Sequence, residues 1–282
     1  MITVQFGAAL AKELFGSLGP AGVVFLRVGF AALMLMALWR PWRASARVGV
    51  GTAAVLPHKR QADYVAVVLF GLTLALMNFL FYSALARIPL GVAVTVEFIG
   101  PLSVAAISSR RALDLLWVIL ALAGILLLAP ISTLGAAPLD PFGLLLALGA
   151  GACWATYILL SARVGRAFAG VAGLSLAMTV GALALVPVGI IGAGSALLDL
   201  HLLLLGACVA LLSSVVPYSL ELAVLRRMSP GAFGVFMSLE PAIAALVGWL
   251  VLHEMLELRA LVALVLVTTA AIGATRGGTR SH

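Results

Sequence analysis

Charge is what this sequence has least of. Only 10% of its 282 residues are Asp, Glu, Lys or Arg, while 64% are hydrophobic and mean hydropathy is +1.23. Soluble domains carry about 25% charge, so a soluble fold is excluded. Cysteine is nearly missing too. Cys153 and Cys208 both lie inside apolar stretches, which rules out a disulfide framework and a metal-ligand spacing. His58, His201, His253 and His282 sit at segment ends or in connections, again without ligand spacing. There is no GxSxG, no HExxH and no Walker loop, so no enzyme, cofactor or metal site is implied. No polar run is long enough to fold as a nucleotide-binding domain, which excludes an ATP-driven pump. A cleavable signal is also absent from the first residues. Short alternating strands, as a spanning barrel needs, do not occur.

What is present is a series of long, continuous apolar segments. They run roughly over 1–16, 21–39, 63–86, 90–108, 114–131, 142–162, 171–191, 200–223, 231–252 and 258–275. A helix needs about 20 residues to cross the hydrocarbon core. The fold expected is therefore an all-α polytopic membrane protein with ten transmembrane helices and the lipid bilayer as its surroundings. The first segment is short. From Met1 to Phe15 it reaches only about 22 Å, then meets the turn signal Gly16-Ser17-Leu18-Gly19-Pro20. It is either a partial span or a truncated one; the expectation is a true start upstream of Met1.

The net charge of +7 does not mark a nucleic-acid binder, because the basic residues occupy short connections. Arg40, Arg43, Arg47, Lys59, Arg60, Arg110, Arg111, Arg163, Arg166, Arg226, Arg227, Arg276 and Arg280 fall on every second connection or at the C-terminus. The positive-inside rule makes that side cytoplasmic, and both termini with it. The opposite connections hold Arg87 and Arg259.

An internal repeat is visible. Gly100-Pro101 and Glu240-Pro241 are 140 residues apart, as are Asp114 and Glu254; Pro89 and Pro230 are 141 apart. The chain divides into 1–131 and 142–275, each with five segments. Five is odd, so the second repeat must insert inverted relative to the first, which is a transporter arrangement.

Ionisable groups inside apolar spans are costly and need a reason. Glu97 lies near the middle of its segment. Pro101, four residues on, has no N–H to offer the Glu97 carbonyl, so Gly100-Pro101 should break the helix beside the acid. Glu240 abuts Pro241, a similar break in the second half. Arg27 and Lys12 supply the opposite sign. A structural alternative is simple pairing, for example Arg27 with Glu97. Asn78 and Tyr82 share a helix face, as do Trp154 and Tyr157, and with Tyr218 they could line the same cavity. Interfacial belt positions are the other reading of the aromatics. Ala147, Gly151 and Ala155 form a small-residue ridge suited to close packing. Glu221 is read as a partner for Arg226.

The stretches PLGVAVTVEFIGPLSVAAISSRR (89–111), LALGAGACWATYILLSAR (146–163), VVPYSLELAVL (215–225) and MSLEPAIAALVGWLVLHE (237–254) resemble the EamA-type branch of the drug/metabolite transporter superfamily. The Ala9-Leu10-Ala11-Lys12 and Met77-Asn78 through Phe81-Tyr82 stretches fit as well. This resemblance implies ten helices in two inverted five-helix repeats, a bacterial inner-membrane location, and efflux of small amino acids such as threonine or homoserine, with proton exchange. Candidate substrate-binding residues are Glu97, Glu240, Arg27, Lys12, Asn78, Tyr82, Trp154, Tyr157 and Tyr218, with Glu97 and Glu240 coupling protons. Two rival readings stay open: an exporter of drug-like cations or another metabolite, and a non-transporting membrane scaffold. Oligomeric state is not legible.

Overall fold

The computed structural model describes residues 2–39, 61–88, 90–109, 111–128, 140–168, 170–240, 243 and 258–278. Every regular element among them is helical. In chain order these are α1 (Ile2–Trp39), α2 (Gln61–Leu85), α3 (Leu90–Glu97), α4 (Ile99–Ser108), α5 (Ala112–Leu128), α6 (Pro141–Ala167), α7 (Ala172–Ala193), α8 (Leu200–Ala210), α9 (Val216–Leu225), α10 (Pro230–Met237) and α11 (Leu258–Gly278). One 3₁₀ stretch, Gly194–Leu198, follows α7, and one π turn, Leu211–Val215, joins α8 to α9.

Five stretches among the described residues are long and apolar enough to cross a bilayer: Leu14–Leu38, Gln61–Leu85, Pro141–Ala167, Ala172–Leu198 and Leu200–Leu225. Shorter apolar helices cover Val92–Ser108, Ala112–Leu127 and Leu261–Ala274. Large aliphatic side chains such as Leu69, Leu72, Ile119, Leu145 and Leu159 point outward. In water such a surface would be a liability; in lipid it is the expected coat. The chain is a multi-pass membrane protein.

Local chemistry sets the helix ends. The first two apolar segments are two helical limbs of α1 that meet at Gly19, whose φ of 63° and ψ of 170° are not helical and which only glycine adopts cheaply; Pro20 then opens the second limb. α6 starts where Asp140 accepts from the Phe142 N–H and Pro141 occupies the first turn. Asp199 caps α8 through His201 and Leu202, and Ser229 caps α10 through Ala232 with Pro230 behind it.

α3 and α4 meet at Phe98, three residues before Pro101, where the turn loosens while φ and ψ (−64°, −14°) stay right-handed helical. Gly100 and Pro101 are themselves helical, which corrects the expectation that they form the break. The reason is that a proline disturbs the turn preceding it, where its ring meets the carbonyl four residues back. α10 likewise ends at Ser238, three residues before Pro241. Pro241 itself lies outside the described residues. Phe98 and Ser238 are 140 residues apart, the offset seen in the sequence.

Elements before residue 130 pack on elements after residue 140. α1 lies against α7, α8 and the π turn; α2 against α6 and α7; α4 against α10; α5 against α11. One continuous apolar core joins both parts of the chain, from Leu14 and Phe70 to Tyr157, Leu174 and Phe233. Polar ties at the ends do not mix. Arg87 pairs with Asp140 at 3.0 Å, both in connections assigned to one side. Arg226 donates to the carbonyls of Gly165 (2.7 Å), Phe168 (2.8 Å) and Gly170, and Arg163 reaches the Ala62 carbonyl at 3.5 Å, all at the other side.

Candidate functional site

Arg27 projects from the second limb of α1 into the bundle and is only 9% exposed. Its Nε donates to Ser214 Oγ at 2.8 Å and its Nη1 to the Tyr82 hydroxyl at 3.0 Å. Its Nη2 donates to the Ser213 carbonyl at 2.7 Å and the Tyr218 hydroxyl at 3.4 Å. The guanidinium carbon also lies 5.7 Å from the Tyr82 ring centre and 6.0 Å from that of Tyr218. Each of these partners is neutral. The charge is solvated by hydroxyls, one carbonyl and two π faces, but is not cancelled by them.

The serine pair gets there through the π turn. Within it the Val216 N–H bonds the Leu211 carbonyl, five residues back. The extra residue rotates Ser213 and Ser214 inward, where they are 2% and 0% exposed. Such turns recur at functional sites. Pro217, four residues after Ser213, has no N–H for that carbonyl. Arg27 supplies one. Asn78 completes the cluster, donating to the Leu74 carbonyl at 2.7 Å and the Tyr218 hydroxyl at 3.3 Å. Asn78 and Tyr82 therefore share a face, as their spacing predicts.

Glu97 is the last residue of α3 and is 8% exposed. The structural alternative of an Arg27–Glu97 ion pair is not observed within 4 Å, the separation at which Arg87 and Asp140 do pair. Glu97 is still near enough to feel the charges of Arg27 and Glu240. Glu240, partly buried, lies just past the Ser238 turn. The Glu97 backbone carbonyl turns toward α6. A methyl built on Gly151 would sit 2.7 Å from that oxygen, and one on Gly100 would sit 2.0 Å from the Gly151 carbonyl. The small-residue ridge is thus a packing surface, and it receives the turn where α3 meets α4.

Trp154 and Tyr157 reach different neighbours. Trp154 is edge-on to Phe98 at 5.0 Å, directly beside the turn where α3 meets α4. Tyr157, fully buried, packs against Phe70 and Tyr218, each at 5.5 Å, and its hydroxyl donates to Glu221 at 2.7 Å. Glu221 does not pair with Arg226, whose guanidinium is spent on the end of α6. The Lys12 side chain, like Pro241, lies outside the described residues.

Arg27, Asn78, Tyr82, Tyr157 and Tyr218 thus converge, with Glu97 and Glu240 in electrostatic range. Sequence reasoning missed Ser213, Ser214 and the Tyr157–Glu221 contact. The run Ser213-Ser214-Val215-Val216-Pro217 carried a usable signal, the same proline-four-residues-later logic applied to Glu97.

A multi-pass helical bundle that buries Arg27 and Glu97 without pairing them to each other, beside proline-loosened turns, has the build of a membrane transporter. Comparison with known proteins agrees. Residues 141–276 match the EamA-like transporter family. Threonine/homoserine exporter RhtA of Salmonella typhimurium (strain LT2) is 42% identical over 275 residues, covering 98% of this chain and 88% of that protein. RhtA of Escherichia coli (strain K12) gives the same identity and coverage. A solved crystal structure superposes over 99% of this chain and 95% of its own with a TM-score of 0.73 at 21% identity, which shows a shared fold. The chain belongs to the EamA-like transporter family.

Proposed function

We propose that this protein is a secondary transporter of the bacterial inner membrane that exports small amino acids such as threonine and homoserine, in exchange for protons and by alternating access. The observation that carries the reading is the relation of Arg27 to Glu97: both buried, each within the other's field, yet more than 4 Å apart. A zwitterion has the charge pattern to occupy such a gap. Its carboxylate would meet the Arg27 guanidinium, with Lys12 as a second cation, and its ammonium would meet Glu97 or Glu240. Asn78, Tyr82, Trp154, Tyr157 and Tyr218 would form the walls. Glu97 and Glu240 would take the incoming proton. The 42% identity to exporters named for threonine and homoserine supports the substrate class.

In this reading residues 1–131 and 142–275 are two inverted five-helix repeats, ten spans in all, with both termini cytoplasmic. The matching loosened turns at Phe98 and Ser238 support the repeat, and the separation of the Arg87 and Arg226 ties supports the sidedness.

The test is uptake of labelled threonine and homoserine into inverted membrane vesicles. An acid-inside pH difference should drive accumulation, and competing amino acids should reduce it. Uptake of hydrophobic cations but not amino acids would favour the drug-export alternative. No flux of either would leave a scaffold.

A further inference from the structure

Glu221 is a carboxylate placed within a membrane helix, and the site described above gives it no task. It sits on α9 three residues after Tyr218, so the two side chains project from one helix face. Tyr218 turns its hydroxyl to Arg27 and Asn78; Glu221 takes the hydroxyl of Tyr157 at 2.7 Å. Tyr157 is wedged between Phe70 and Tyr218, its ring tilted 37° to the first and 46° to the second, with no exposed surface. Its ring is fixed by packing and its end by the carboxylate. Tyr218 leans on that fixed ring. A hydrogen bond made in so dry a place is stronger than the same bond in water.

We infer that Tyr157 and Glu221 are positioning residues for transport: their hydrogen bond locks the Tyr157 ring, which holds Tyr218 against Arg27 and so sets the direction of the guanidinium. The inference rests on the reading of Arg27 as the group that meets the substrate carboxylate. The role of Glu221 is to accept a hydrogen bond, not to carry charge. That separates it from Glu97 and Glu240, which have no such tether among the described contacts.

The experiment measures threonine uptake into inverted vesicles as a function of concentration for Y157F, E221A, E221Q and R27K. Rates are normalised to the amount of folded, inserted protein. Y157F and E221A each remove the bond; each should raise the half-saturating concentration about tenfold, the scale of one buried hydrogen bond, with the maximal rate within about twofold of wild type. E221Q keeps an acceptor oxygen at the same reach and should restore near-wild-type affinity. The double variant Y157F/E221A should be no worse than either single one, since both remove the same bond. An E221Q as impaired as E221A would show that charge matters and would overturn the inference. So would wild-type affinity in both Y157F and E221A while R27K is impaired. If R27K itself transports like wild type, the assignment of Arg27 to the substrate falls instead. Both Y157F and E221Q nearly preserve side-chain volume, so a general packing failure is separable by melting temperature in detergent.

Discussion

The backbone carbonyl of Ser213 accepts a hydrogen bond from Arg27 at 2.7 Å, across 186 residues of chain. A helical carbonyl is normally committed to the N–H four residues on; here that residue is Pro217. A missing N–H on α9 thus becomes an acceptor for a buried cation on α1. Pro217→Ala would return a backbone donor at that place and let the helix compete with Arg27. The expected outcome is a several-fold loss of threonine affinity with unchanged or higher thermal stability. Substrate-dependent shifts of the melting temperature would report both.

Glu97→Gln keeps the size of the side chain and removes its charge. Since Glu97 makes no ion pair within 4 Å among the described residues, little holding the described fold is lost. The protein should insert and melt as wild type, while accumulation driven by a pH difference is abolished. Wild-type accumulation in this variant would remove Glu97 from coupling.

Gly151→Ala tests the seat of the turn where α3 meets α4. The added methyl would lie 2.7 Å from the Glu97 carbonyl oxygen, a contact the backbone must move to relieve. Overpacking of this kind costs about 1–3 kcal/mol. Gly16→Ala is the control: nothing lies within 4 Å of its methyl, so helix propensity alone acts and should stabilise by up to about 1 kcal/mol. Denaturation midpoints in detergent should move in opposite directions for the two.

Asp140 lies outside the spans. Its hydrogen bond from Arg87, aided by the Phe142 N–H, holds its carboxyl below the usual aspartate range. A lowered native value means its stabilisation is full above the ordinary aspartate range and fades as pH falls through the native value. Wild type should therefore lose more stability than Asp140→Asn as the medium is taken well below pH 4. Asp140→Ala, which loses the cap as well as the charge, should be the least stable of the three at neutral pH. Melting temperature against pH reads all three.

Much of the fold was legible because lipid leaves a helix few choices. Every backbone group must be paired within the segment, so long apolar runs can only be helical. The turn at Gly19-Pro20 and the helix start at Pro230 then appear where their chemistry puts them. Of the site, Asn78 and Tyr82 could be paired from spacing alone, and the rarity of charge singled out Arg27 and Glu97. The π turn could not be read. Polar residues in and after it, such as Ser213, Ser214, Tyr218 and Glu221, are too few to form a stripe whose phase would visibly slip where the extra residue enters. The Tyr157–Glu221 bond was hidden for another reason: its members are 64 residues apart, and an apparently closer partner, Arg226, stood one turn from Glu221. Only the fold shows that Arg226 is occupied elsewhere.

The four bonds of Arg27 end on α2, on the π turn and on α9, so one side chain staples early chain to late. Should the two parts of the bundle tilt against each other, the stapled point is the one that travels least, and both ends of the bundle swing about it. The cation would then be a fulcrum: water and cargo come and go on either side of it, while it stays still.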